Sequence, residues 1–361
     1  VDEATPVERD AMTRALTLAA RGPARGPNPR VGCVLLAPDG RVLGEGWHQG
    51  AGTPHAEVAA LTDARVRAGE AALHGATAVV TLEPCAHTGR TGPCSRALVA
   101  AGVARVVVAV ADPNPVAAGG AVHLRSAGVE VVLGVEEEAG RALLGPWLVA
   151  VGRGRPYVTL KTATTLDGRV AAADGSSRWI TSPESRAHAH ALRAEVDALV
   201  VGTGTALADD PALTARTPAG EVAAHQPLRV VVGERDLPAG SRLARVLRDT
   251  GGSVAGTPAD GGGEVLHLRT HDPREVLTAL QAREVRHVLV EGGPTLAAAF
   301  LRADVVDRVH AYVAPVLLGG GRPAVADLGI ASIGDALRLR TRAVRPLGPD
   351  VLVEADVEEE D

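Results

Sequence analysis

Two segments decide how the first half of the chain is read: Gly52-Thr53-Pro54-His55-Ala56-Glu57, and Thr81-Leu82-Glu83-Pro84-Cys85-Ala86-His87-Thr88-Gly89-Arg90-Thr91-Gly92-Pro93-Cys94 after a helix-like run. His55, Cys85 and Cys94 offer one imidazole and two thiolates. Those three ligands leave a tetrahedral zinc with one open position, as catalytic rather than structural sites have. Water in that position would have its pKa lowered to about 7, and Glu57 is the natural carrier of its proton to a leaving amine. A structural zinc would need a fourth protein ligand, for which His87 is the near candidate. Spacing alone does not aim His55 and Glu57 at one ion, because residues two apart on a helix point on different bearings.

Working outward, apolar positions at helical spacing over 7–20 (Met12, Ala15, Leu16, Ala19) predict an opening helix. Val31 to Leu36 and Val42 to Gly46 read as strands joined by a Pro38-Asp39-Gly40 turn. Cys33 alternates with Val31 and Leu35 and reads as a small buried residue. Thr53 is a candidate N-cap, with Pro54 in the first turn of a helix that starts at His55 and runs to about Ala68. A buried strand from Ala76 to Leu82 delivers Cys85, and a helix starts at Cys94, where amides favour a thiolate. A strand over 103–110, a helix near 119–127 and a strand over 129–135 complete an alternating α/β layer. Asp112-Pro113-Asn114-Pro115 follows a strand end, where open α/β sheets bind ligands. The His-x-Glu … Pro-Cys … Cys pattern resembles the signature of zinc-dependent base deaminases, although eight residues, 86–93, separate the cysteines where two do in most of that group. The convergence of His55 and Glu57 on one ion is what this resemblance implies.

The chain has 361 residues, enough for two domains, and its 46% hydrophobic content includes only 2% aromatics, so its cores must be built from Val, Leu and Ala. A net charge of −6 with dispersed arginines offers no nucleic-acid footprint and no polybasic membrane patch. No apolar run reaches the roughly 18 residues of a membrane span, and the acidic N-terminus lacks the h-region of a signal peptide. Three cysteines, two claimed by zinc, fit a reducing cytoplasm. Lys161 is the only lysine among 37 basic residues, a bias of the kind a GC-rich genome produces. Its retention reads either as a need for a compact, titratable ammonium or as chance.

The pattern stops at Gly152-Arg153-Gly154-Arg155-Pro156, which sets expected domains of 1–152 and 156–361. Strands are predicted at Tyr157 to Ala163, Ala198 to Val201, Leu228 to Val232, His287 to Val290, Arg308 to Ala314 and Val351 to Val357. Helices are predicted from Pro183 to about Ala194 and from Thr295 to about Leu301, with a Gly-rich loop over 250–263. No Gly-x-Gly-x-x-Gly follows a strand, against a Rossmann domain. Two turns, Gly202-Thr203-Gly204-Thr205 and Glu291-Gly292-Gly293-Pro294-Thr295, could offer backbone N–H groups to a phosphate. Glycine at such turns also serves backbone conformation alone.

Taken together, the halves resemble the bifunctional riboflavin-biosynthesis deaminase/reductase family. The first half carries Asn28-Pro29-Arg30-Val31-Gly32, His55-Ala56-Glu57, Pro84 to Cys94 and Asp112-Pro113-Asn114-Pro115. The second carries Lys161 to Gly168, Trp179-Ile180-Thr181, Leu207 to Thr214 and Glu291 to Thr295, in the family's order. The resemblance implies a cytidine-deaminase-like α/β/α domain followed by a dihydrofolate-reductase-like α/β domain. It implies zinc at His55, Cys85 and Cys94 with Glu57 catalytic, deaminating 2,5-diamino-6-ribosylamino-4(3H)-pyrimidinone 5′-phosphate. NADPH then reduces the ribosyl chain to ribityl, with Lys161 beside the hydride-transfer site. Matched positions imply NADPH contacts at Ala163, Trp179, Thr205, Asp209, Gly293, Pro294 and Thr295. They imply substrate contacts at Asn28, Ser177, Arg193, Leu213, Arg216 and Glu291. Without the family, Trp179 reads as a core aromatic and Arg193 as a solvated helix face. The chain departs from the pattern at Gly92, where Pro is usual, at Val316, where Lys is common, and at Glu234, where a small hydroxyl residue is typical. No cofactor contact is carried over to Glu234. The expected partners are small molecules, with neither nucleic acid nor membrane, and a homo-oligomer is left open. Two rival readings are a nucleoside deaminase whose second domain only binds a nucleotide, and a zinc-stabilised scaffold.

Overall fold

The computed structural model describes residues 3–86, 92–114, 117–249 and 263–358. His87, Pro115 and all of the Gly-rich stretch except Gly263 lie outside them. The chain divides into two compact units, Val1–Gly154 and Arg155–Asp361.

The first unit runs α1 (Pro6–Ala19), β1 (Gly32–Leu36), β2 (Val42–Trp47), α2 (Ala56–Ala68), β3 (Thr77–Leu82), α3 (Cys94–Ala100), β4 (Arg105–Val110), α4 (Gly120–Ser126), β5 (Glu130–Leu133) and α5 (Glu137–Arg153). Thr5 and Glu8 close a capping box on α1, with Pro6 in its first turn. The sheet order is β2-β1-β3-β4-β5. β1 is antiparallel to both its neighbours, while β3, β4 and β5 run parallel. The runs Ala78–Leu82 and Val106–Val110 are buried on both faces, as parallel strands between helical layers are.

Glycines set the layer spacing. A Cβ on Gly32 would lie 2.0 Å from Ala15 O of α1, and one on Gly46 would lie 2.4 Å from Ala60 N of α2. Gly46 pairs with Cys33, one residue beyond Gly32, so α1 and α2 lie against opposite faces of the sheet. This places the start of α2, with His55 and Glu57, directly over β1 and β2.

Two expectations change here. The helix opens at Ala56 with His55, not Thr53, as N-cap, and the imidazole makes no capping bond. The Thr53 hydroxyl is engaged by Gly50 O and Gln49 N instead. The sequence reading also missed α5, because Gly145-Pro146 breaks its helical period; Gly145 sits at φ 34°, ψ −112° inside it.

The second unit runs β6 (Tyr157–Thr165), β7 (Arg169–Ala171), α6 (Pro183–Glu195), β8 (Ala198–Gly202), α7 (Thr203–Asp209), β9 (Leu228–Val232), α8 (Arg242–Asp249), β10 (Val265–Leu268), α9 (Pro273–Gln281), β11 (His287–Val290), α10 (Pro294–Arg302), β12 (Arg308–Ala314), β13 (Arg322–Pro323), β14 (Leu339–Leu347) and β15 (Asp350–Val357). Its eight-stranded sheet has the order β10-β9-β8-β11-β6-β12-β15-β14. The first six are parallel, and β15 and β14 close the sheet antiparallel. β14 was not expected, since its mostly exposed residues show no alternation and it contains Pro346, both features of an edge strand. The core is a Val- and Leu-rich cluster around the fully buried Phe300. No described helix is long and apolar enough to cross a membrane.

The glycine contacts carry a testable consequence. Gly46→Val should force α2 off β2 and destabilise the first unit by about 1–3 kcal/mol, the usual range for overpacking. Gly152→Ala, inside α5 with nothing within 4 Å of its Cβ, should be neutral or slightly stabilising. Calorimetric scans of both variants check this pair.

Candidate active sites

Three separate pieces of the first unit meet at one corner. His55 precedes α2, Cys85 follows β3, and Cys94 opens α3. The His55 Nδ1 lies 3.7 Å from Cys85 Sγ and 3.3 Å from Cys94 Sγ. All three ligand atoms fall within 4.8 Å of one another. A tetrahedral zinc, with bonds of about 2.3 Å to sulfur and 2.0–2.1 Å to nitrogen, separates its donors by roughly 3.5–3.8 Å. The donor set and its spacing fit that ion.

The charges of the corner are coupled. Bonding from the Cys94 thiol, opposed by burial and joined by His55 and the Cys94 amide, holds the Cys85 thiol down to about 4. Cys94 is pushed up, first by that same shared bond and then by burial. One thiolate therefore forms where a dication would stabilise two. The Cys85 thiolate raises His55 in turn. The position of Cys85 is fixed from behind, because its carbonyl accepts from Ser95 Oγ at 3.0 Å and its sulfur from Cys94 N at 3.4 Å. Glu57 is only 4% exposed, and burial raises its carboxyl above the usual carboxylate range. Such a group can hold a proton and give it up.

Asn28 reaches this corner through a residue the sequence reading missed. Its Nδ2 donates to His48 Nε2 at 3.0 Å, and His48 Nδ1 lies 3.1 Å from Pro54 O. Burial keeps His48 neutral by lowering its pKa, so its Nδ1 carries the proton and its Nε2 accepts. The His48 and His55 rings meet edge to face at 5.6 Å. The only signal in the sequence was a histidine at the end of a strand.

In the second unit, Lys161 of β6 and Glu291 after β11 come together from neighbouring parallel strands, with Nζ 3.6 Å from Oε2. Arg193 of α6 completes the cluster, donating through Nε and Nη2 to both Glu291 oxygens at 2.7 Å and through Nη1 to Thr214 O. Burial pushes the Glu291 carboxyl up, but Arg193 and Lys161 outweigh it and hold the group down to about 2. Arg193 is thus no solvated helix face. Lys161 also lies 5.6 Å from the Tyr312 ring, whose hydroxyl is 2.7 Å from His188 Nδ1. Ala163 stands two residues further along the same strand, beside Tyr312.

The two Gly/Thr turns are also neighbours, since β8 and β11 pair in parallel and both turns follow their C-terminal ends. A Cβ on Gly293 would lie 3.4 Å from Thr205 Oγ1, so the glycine leaves a shallow cradle between the turns. Pro294 and Thr295 form the first turn of α10. Trp179, 71% exposed, is not a core aromatic; Arg186 lies over its ring at 4.5 Å. Arg178 beside it donates to Asp209 O at 3.1 Å, joining Trp179 to the end of α7. A flat ring surface and a glycine cradle at sheet ends fit a dinucleotide.

Other expected residues stand apart from these clusters. The Leu213 side chain is buried in the core at φ 54°, which leaves its backbone as the part that could meet a ligand. Arg216 is exposed and holds Gly220 O, and Ser177 sits partly buried in the loop before Trp179.

Residues 6–110 match the family model of the cytidine and deoxycytidylate deaminase zinc-binding region, and residues 156–353 match that of the RibD C-terminal domain. The riboflavin biosynthesis protein RibD of Mycobacterium tuberculosis is 51% identical over 91% of this chain and 90% of its own length. The protein of that name from Escherichia coli is 42% identical over 94% of this chain and 96% of its own length. Among solved structures, RibD of Acinetobacter baumannii superposes with a TM-score of 0.84 at 38% identity, covering 98% of this chain and 99% of that one. A diaminohydroxyphosphoribosylaminopyrimidine deaminase/5-amino-6-(5-phosphoribosylamino)uracil reductase of Thermotoga maritima gives 0.82 at 34% identity, covering 97% and 99%. With matches across both halves, a second domain that merely binds a nucleotide is not favoured. The chain belongs to the RibD family: it is a bifunctional enzyme of riboflavin biosynthesis, a zinc-dependent deaminase joined to an NADPH-dependent reductase.

Proposed function

We propose that residues 1–152 deaminate 2,5-diamino-6-ribosylamino-4(3H)-pyrimidinone 5′-phosphate and that residues 156–361 reduce the ribosyl group of the product to ribityl. The observation that carries the first assignment is the triangle of His55, Cys85 and Cys94 donors beside the buried Glu57. A zinc ion held there supplies Lewis acidity that makes water a nucleophile at neutral pH. Glu57 takes the proton from that water and hands it to the departing amine. Asn28, its Nδ2 turned to His48, keeps Oδ1 free to accept from the pyrimidine and orient it.

The second assignment rests on Lys161, Glu291 and Arg193. NADPH supplies the hydride. The carbon that accepts it must lose its bond to the ribose ring oxygen, and that oxygen needs a proton as the bond breaks. Lys161 provides it from a compact ammonium steadied by Glu291. Arg193 fixes Glu291 so that one carboxylate can serve both Lys161 and the substrate. We assign Ala163, Trp179, Thr205, Asp209 and Gly293 to Thr295 to the coenzyme, and Ser177, Leu213 and Arg216 to the substrate, Leu213 through its backbone. We read the enzyme as cytoplasmic, since none of Cys33, Cys85 and Cys94 is in a disulfide, and its partners as small molecules.

Cys94→Ser should abolish metal loading and deamination while NADPH binding persists, as measured by elemental analysis and coenzyme titration. Full zinc occupancy in that protein would remove Cys94 from the ligand set. Glu57→Gln should keep the metal yet slow ammonia release by about 10²–10⁴-fold, the worth of a positioned proton carrier. A near-normal rate there would mean that another group moves the proton. Lys161→Arg keeps the charge beside Glu291 but should lose most NADPH oxidation on the deaminated intermediate, because Arg holds its proton above a pKa of about 12. A rate within a few-fold of the parent would make Lys161 a structural partner of Glu291.

A further inference from the structure

We infer that Tyr312, held in place by His188, is a positioning residue for the reduction: its ring aims the Lys161 ammonium at the ribose ring oxygen. The inference rests on the reading that Lys161 delivers a proton there. Lys161 carries its charge on a flexible four-carbon stem, so one loose contact does not aim it. Its ion pair with Glu291, at 3.6 Å, is longer than the roughly 2.7–2.9 Å of a charge-assisted hydrogen bond. Among the described residues its other restraint is the Tyr312 ring, whose centroid lies 5.6 Å from Nζ. That is inside the reach of about 6 Å over which a ring face attracts a cation.

Strand register brings the two side chains together. β6 and β12 pair in parallel, with His310 opposite Lys161 and Tyr312 opposite Ala163, so all four share one face of the sheet. Ala189 of α6 and Leu352 of β15 pack with the buried ring. Its hydroxyl is pinned from α6. His188 Nδ1 lies 2.7 Å from Tyr312 Oη, and His188 Nε2 lies 3.5 Å from Arg345 Nη2. A guanidinium only donates, so Nε2 is the accepting nitrogen and Nδ1 carries the proton given to Tyr312 Oη. Burial and then Arg345 lower the pKa of His188, against the pull of Glu354 and Glu195, which favours this neutral form. Glu354 in turn binds Arg345, and burial keeps the Tyr312 hydroxyl protonated. Donors thus run from Arg345 to His188 to Tyr312 and fix the ring that Lys161 faces. α6 is the common support, since its His188 fixes Tyr312 and its Arg193 fixes Glu291. Both partners of Lys161 are set from a single helix.

The test is steady-state NADPH oxidation by the full-length protein, fed the deaminated intermediate. Parent, Tyr312→Leu, His188→Leu, His188→Asn, Lys161→Arg and the Tyr312→Leu/Lys161→Arg double variant are compared. Tyr312→Leu should lower kcat by about 10- to 100-fold, the worth of a misplacement of about 1 Å, with KM for the intermediate and Kd for NADPH within about threefold of the parent. His188→Leu frees the ring without removing it and should lose roughly three- to tenfold in kcat. His188→Asn, whose Nδ2 still donates to the hydroxyl, should recover most of that loss. In the double variant Tyr312→Leu should cost little beyond Lys161→Arg, because a ring that acts through Lys161 has no lysine left to aim. Full additivity there, or equal losses in kcat and both affinities, would make Tyr312 a residue of the core alone. A fast Lys161→Arg beside a slow Tyr312→Leu would remove the underlying reading and the inference together. A slow Lys161→Arg beside an unchanged Tyr312→Leu would overturn the inference and leave that reading standing. Tyr312 is 1% exposed, so its truncation opens a cavity. Should that variant fail to fold, the two substitutions at the half-buried His188 decide, and an unchanged kcat in His188→Leu overturns the inference.

Discussion

Two thiols and an imidazole crowded into a buried corner cannot all take their metal-binding forms without a cation. Cys85 and Cys94 share a single negative charge for this reason, one thiol pushed down and the other up. The rest of the first unit can be understood as the frame that enforces this crowding. α2 is pressed onto β2 at Gly44 and Gly46, which sets the height of His55 and Glu57 over the sheet. The Cys94 amide and the Ser95 hydroxyl bind Cys85 from the start of α3. Metal binding then releases protons and stabilises the fold together, since the same donors serve both.

The reductase unit answers a related problem with fixed charges. Glu291 is buried and would be neutral but for Arg193 and Lys161. Removing one partner of such a cluster leaves an uncompensated buried charge, which costs far more than a surface ion pair gains. Arg193 supplies the bidentate half of the arrangement, and Lys161 a single ammonium 3.6 Å from Glu291 Oε2. One buried carboxylate is thereby kept ionised between two cations.

Within each unit, chemistry gathers at the carboxyl ends of parallel strands. Cys85 follows β3, and the two Gly/Thr turns follow β8 and β11. Strand ends in open α/β sheets leave a crevice bordered by helix starts, where backbone donors and side chains from several strands converge. The glycines at those turns matter because they let neighbouring turns touch, as Gly293 does with Thr205 and Gly233 with Thr203.

The cluster of His55, Cys85 and Cys94 was legible because its motif is chemically specific, and many of the parallel strands because Val- and Leu-rich runs are buried on both faces. Leu228–Val232, His287–Val290 and Arg308–Ala314 were read to the residue. α5 and β14 were not, since Gly145-Pro146 hides a helical period and an exposed edge strand has no alternation to show. The local sequence also favoured Thr53 as a cap, whereas the fold gave the position to His55 and kept its ring for the metal corner. Sequence by itself thus determined most of the central strands and the residue types of the His-Cys-Cys motif, which depend on neighbours along the chain, but not β10, α8 or α9. Only the tertiary structure decided that Arg193 meets Glu291, that Asn28 leans on His48, that Leu213 is core and that Trp179 is exposed. Those outcomes depend on which surfaces the sheets and helices bring within a few ångströms, and no local pattern encodes such a distance.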